Sequence, residues 1–103
     1  MTDTLKFGLK PAVISSLISI FRRHKKVEKV LIYGSRAKGN FRPGSDIDLT
    51  LVGKDLTLTD LLKIETEIEE LLLPYKVDLS IFHLIDNPDV IEHIKRVEKN
   101  FLD

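Results

Sequence analysis

The chain has 103 residues, 43% apolar and 31% charged, with sixteen basic and sixteen acidic side chains giving a formal net charge of zero. That length fits one domain, 1–103, with one modest core and little room for a second, substrate-binding lobe. Zero net charge excludes the global basic field of nucleic-acid binders. The lack of cysteine excludes disulfides and thiolate zinc sites, and no apolar run approaches the roughly 20 residues of a membrane span.

Met1–Leu9 has neither the basic start nor the apolar block of a signal peptide, so a cytoplasmic protein is expected. Pro11 suits the first turn of a helix, where its missing N–H costs nothing. Val13, Leu17, Ile20 and Phe21 then recur at helical spacing over Ala12–His24. Arg22, Arg23, Lys25 and Lys26 crowd the end of that helix, where cations favour the dipole, and read as a solvated helix end. Val27–Tyr33, rich in β-branched residues and stopped by Gly34, reads as a buried strand. Ser35–Lys38 reads as a short helical turn closed by Gly39, and Asn40–Ser45 as turn chemistry. Ile47–Val52 alternates: Ile47, Leu49 and Leu51 on one face, Asp46, Asp48, Thr50 and Val52 on the other.

Thr57 or Thr59 can cap the next helix, with Asp60 at capping-box distance from Thr57. Leu61, Ile64, Ile68, Leu71 and Leu72 form its apolar stripe, Glu65, Glu67, Glu69 and Glu70 read as a solvated face, and Pro74 stops it. Val77–Ile81 alternates again, with Val77, Leu79 and Ile81 opposed to Asp78, Ser80 and Phe82. Asn87 caps a last helix with Pro88 at its first position, and Val90, Ile94, Val97 and Phe101 on one face. The second and third strands are joined by a crossover long enough for a parallel pair, the first two by a short loop that fits an antiparallel pair. The expected fold is α/β (α+β): a small mixed sheet with helices on one face and the other open to water or a ligand.

Alternation puts Asp46 and Asp48 on the face opposite the apolar one, and Asp78 obeys the same rule on the third strand. One register of parallel neighbours brings all three together. Close carboxylates repel; a pair of Mg²⁺ ions removes the conflict and leaves positions for phosphate and water. Gly34-Ser35 ends a strand where exposed backbone N–H groups can cradle an anion, and Arg36, Lys38 and Arg42 add local positive charge. A Gly-Ser turn, or paired acids on a strand, is usually no more than that. With aspartate depleted in strands, the combination points to a site.

Residues 34–49, "GSRAKGNFRPGSDIDL", resemble the signature of the DNA-polymerase-β-like nucleotidyltransferase superfamily: Gly-Ser, ten residues, Asp-x-Asp, then an Asp on a later strand. Gly34-Ser35, Asp46-Ile47-Asp48 and Asp78 fill each place, and the forms "GSRAKG" and "SDIDL" are most similar to the minimal nucleotidyltransferases, the MNT group. The resemblance implies a polymerase-β-like palm transferring a nucleoside monophosphate, commonly AMP from ATP, to a hydroxyl with release of pyrophosphate. It implies that Asp46 and Asp48 ligate two Mg²⁺ ions, and that Asp78 ligates one and helps deprotonate the acceptor. Gly34 and Ser35 would hold the triphosphate, with Arg36 assisting. It also implies a helical HEPN partner, as substrate, acceptor-binding subunit or both, in a pair or higher assembly of antitoxin type. The alternative is a non-catalytic module that neutralises a partner by contact. Tyr33 and Phe82 read as packing or rim residues, and the spacing of His24, His83 and His93 argues for no zinc site.

Overall fold

The computed structural model describes residues 5–102; Met1–Thr4, the start of the Met1–Leu9 stretch, and Asp103 lie outside them. Pro11 opens helix α1 (Pro11–Arg23), which buries Leu17, Ile20 and Phe21. Strand β1 (Lys29–Tyr33) is two residues shorter at its start than its β-branched run and leads directly into the short helix α2 (Gly34–Lys38). Strand β2 (Ile47–Val52) follows the Asn40–Ser45 turn. Helix α3 (Leu58–Glu69) is capped by Thr57, not Thr59, in a reciprocal box with Asp60. Strand β3 (Val77–Ile81) runs into a 3₁₀ turn, Phe82–Leu84. Asn87, accepting from the Asp89 N–H at 2.9 Å, caps helix α4 (Pro88–Val97), and strand β4 (Lys99–Asn100) ends the order.

The sheet order is β3-β2-β1-β4, with β2 parallel to β3 and antiparallel to β1, and β4 antiparallel to β1. It is the small mixed sheet the element order implied, and α3 is the crossover that makes a parallel β2–β3 pair possible. Val30, Ile32, Ile47, Leu49, Leu51, Leu79 and Ile81 face α1 and α3, whose Leu17, Ile20, Phe21, Ile64 and Ile68 complete the core. The basic end of α1 meets part of the acidic face of α3. Arg23 donates to Glu67 at 2.8 Å, His24 Nε2 lies 2.7 Å from the same carboxylate, and Lys26 pairs with Asp60 at 3.2 Å. Those charges are therefore a clasp between two helices as well as solvated surface.

Helix α4 stands at the margin of the opposite face. Ile94 is buried there, outside the main core, and the His93 ring lies edge-on to Tyr33 with centroids 6.1 Å apart. That face is thus bordered by a helix and not wholly open.

The chain end corrects one sequence expectation. Phe101 is not on the face of the last helix, because α4 stops at Val97 and the backbone extends into β4. The Phe101 N–H donates to the Val30 carbonyl at 2.8 Å, and its ring enters the core against Phe21 and Phe7. A strand of two residues carries no alternation to read. The turn Lys6–Leu9, which delivers Phe7 and the buried Leu9, was equally silent.

Candidate active site

The register decides which side chains can meet. Tyr33 pairs with Asp48 across β1–β2, and Asp48 with Asp78 across β2–β3. Paired residues project to the same face, so Tyr33, Asp48 and Asp78 form one row across three strands. The row behind it is Leu31, Thr50 and Ser80, where the Ser80 hydroxyl donates to Thr50 Oγ1 at 2.9 Å. From the side, α4 contributes Asp89, Val90 and His93, and together with Gly34 these groups line a cleft of about 480 Å³.

Gly34 sits at the end of β1 with φ at 72°. Asp48 Oδ2 occupies the space a β-carbon there would need, so glycine is required for its dihedral angle and for the close approach of the carboxylate. Ser35 follows in the first turn of α2, half-buried beside it. The glycine–serine turn and the Asp48 carboxylate are thus in contact.

Asp48 is half-buried; Asp46, one residue before β2, and Asp78 are exposed. Burial, then the negative charges of Asp78 and Asp46, hold the Asp48 carboxyl above the usual aspartate range; the positive influence of His93 and Lys76 works the other way. The Tyr33 hydroxyl is also pushed up, chiefly by burial and further by Asp48 and Asp78, with hydrogen bonding to Ser80 opposing. Both groups share two causes: burial first, and then negative charge gathered on one face. Among the described residues, no three acidic or histidine side chains converge closely enough, as they stand, to hold a metal ion. What is in place is the donor chemistry, two carboxylates directly opposed in register and a third, Asp46, whose charge reaches Asp48. Oxygen-only donors of this kind fit a hard divalent cation.

Arg36 is placed elsewhere than the sequence expectation put it. It is 2% exposed and does not line the cleft. Its guanidinium donates to the carbonyls of Phe7 (2.9 Å), Pro43 (3.2 Å) and Ser45 (3.0 and 3.2 Å), and lies 5.2 Å and 5.0 Å from the ring centroids of Phe41 and Tyr75. Conversely, the cleft wall includes Tyr33, read from the sequence only as a packing or rim residue, and His93, which was given no role there. For Tyr33 the signal was available, since alternation from Leu31 places it on the acid face. For His93 there was none, because nothing local says that α4 folds beside β1.

A mixed sheet that presents opposed aspartates beside a glycine–serine turn defines a class, the small nucleotidyltransferase palm. The chain belongs to the family described as polymerase beta, nucleotidyltransferase, whose model matches residues 15–103. No curated protein is significantly similar to it in sequence. Among solved structures, a chain of a toxin–antitoxin complex with AMP-PNP superposes with a TM-score of 0.70 at 19% identity, covering 85% of this chain and 71% of that one. A chain of a mutant MntA-HpeT toxin–antitoxin pair gives 0.67 at 16% identity, over 85% and 70% of the two chains. A chain from the complex of a tri-AMPylated Shewanella oneidensis HEPN toxin with MNT antitoxin gives 0.65 at 16%, over 87% and 69%. At these identities the likeness is one of fold.

Proposed function

We propose that the protein is a Mg²⁺-dependent nucleotidyltransferase that moves AMP from ATP to a hydroxyl on, or bound by, a helical HEPN-type partner, acting as an antitoxin. The observation that carries this reading is the pairing of Asp48 with Asp78 in register, on the face where Gly34 meets Asp48. Asp46, Asp48 and Asp78 hold the metal, and Gly34 and Ser35 hold the triphosphate. When bound, Mg²⁺ neutralises the carboxylates and the phosphates and favours in-line displacement at the α-phosphorus. Asp78, exposed at the mouth of the cleft, accepts the proton of the acceptor hydroxyl. The acceptor oxygen bonds to the α-phosphorus as the bond to pyrophosphate breaks. Positioning and electrostatics supply the catalysis.

Two of the similar folds support the choice of nucleotide and partner, one from a complex with AMP-PNP and one from a complex with an AMPylated HEPN toxin. A reaction that draws on ATP fits a cytoplasmic location. The test is incubation with α-labelled ATP, Mg²⁺ and a HEPN-type protein encoded beside this chain. Label passes to the partner with the parent and not with Asp46→Asn. Antidote activity that survives loss of Asp48 and Asp78 would instead favour a module that neutralises its partner by contact alone.

A further inference from the structure

We propose that Arg36 is a positioning residue for Asp46: it fixes the backbone from which that carboxylate reaches the metal and does not itself touch the nucleotide. This rests on the reading of Asp46 as a metal ligand. Of the three acids, Asp46 has the least support of its own, since it is exposed and precedes the first residue of β2. Asp48 is held within the β1–β2 and β2–β3 ladders. The peptide groups on either side of Asp46 are tied by different means. The following one is held where the Ile47 N–H donates to the Lys76 carbonyl at 2.9 Å. The preceding one is held by Arg36, whose Nε and NH2 both donate to the Ser45 carbonyl, at 3.2 and 3.0 Å.

The same guanidinium reaches Pro43 in the turn and Phe7 in the N-terminal segment, so it pins the loop to the body of the domain. A group engaged by three carbonyls and 2% exposed has no face left for a phosphate. The exposed Lys38 is the cation of the same helix that remains available for one. Lysine at position 36 could not replace the arginine, because one ammonium cannot reproduce a planar fork directed at several carbonyls.

The experiment is Mn²⁺ binding to the full chain, followed by electron paramagnetic resonance, for the parent, Arg36→Lys, Arg36→Met, Asp46→Asn and the doubles. AMP-PNP affinity without metal is measured alongside. Arg36→Lys and Arg36→Met weaken Mn²⁺ binding about ten-fold, as supporting groups of metal ligands do, and leave metal-free AMP-PNP affinity unchanged. In the Asp46→Asn background either change costs less than about two-fold more, because the two act through one element. Full multiplication of the losses, or loss of AMP-PNP affinity with Mn²⁺ binding intact, overturns the proposal. Should Arg36→Met not fold, Arg36→Lys carries the comparison. A parent that binds no Mn²⁺ refutes the metal-site reading; the positioning role is then decided by amide exchange. Arg36→Lys speeds exchange at Ser45 and Ile47 and spares the β1–β2 ladder, and equal protection in parent and variant overturns it.

Discussion

At position 34 the left-handed φ and the neighbouring Asp48 oxygen each exclude a side chain. Gly34→Ala should therefore cost about 1–3 kcal/mol in urea unfolding, the range for a strained non-glycine conformation, and should displace Asp48 from the row. Asp48 itself opposes folding. Its carboxyl is held above the usual range, so the folded state binds that proton more readily than the unfolded chain does. Its contribution to stability is most favourable in acid and declines as pH rises from the ordinary aspartate value through the raised one. In metal-free buffer at neutral pH, Asp48→Asn should melt above the parent, and adding Mg²⁺ with AMP-PNP should stabilise the parent alone. A variant melting below the parent would contradict this account of the site. At this scale the place of Gly34, Asp48 and Asp78 on one face was legible, because each breaks a local rule: glycine closing a strand, aspartates within strands. Arg36 was not, since a buried arginine bonded to carbonyls and an arginine awaiting phosphate look identical in a polar turn.

Among the elements, α1 and α3 are joined by charge as well as by Leu17, Ile20, Ile64 and Ile68. Glu67 is held below the usual glutamate range, first by the hydrogen bond from Arg23 and then by that with His24. It therefore contributes stability above the ordinary glutamate value, which is lost as pH falls through the depressed one. The groups are partly solvated, so Glu67→Gln should cost no more than about 0.5–1 kcal/mol at neutral pH. Melting curves of parent and variant should converge in acid; a gap of constant size would show that the clasp is not electrostatic. Phe101→Ala removes the ring that fastens β4 to the core and should cost about 3–5 kcal/mol by chemical denaturation. A loss below about 1 kcal/mol would place Phe101 outside the core. The bounds of β2 and β3 and the Asn87 cap could be read from residue spacing, and the α3 cap to within Thr57 or Thr59, because alternation and capping are local signals. The β4 strand and the place of α4 could not, since long-range packing sets them.

For the molecule as a whole, the same register that builds the sheet gathers its negative charge at one end of it. A core on one face pays for that, and a bound cation should relieve it. Mass action then stabilises the loaded protein by about 2.7 kcal/mol at a free ligand concentration roughly a hundred times Kd. Among the described residues no helix is long and apolar enough to cross a membrane, and Asp78 stands exposed in the cleft wall. The measurement that bears most directly on this account is calorimetric titration of the full chain with Mg²⁺ and AMP-PNP, for the parent, Asp48→Asn, Asp78→Asn and Glu67→Gln. Saturable binding by the parent and Glu67→Gln, abolished in both aspartate variants, is the predicted result. Equal affinity in all four proteins would contradict it.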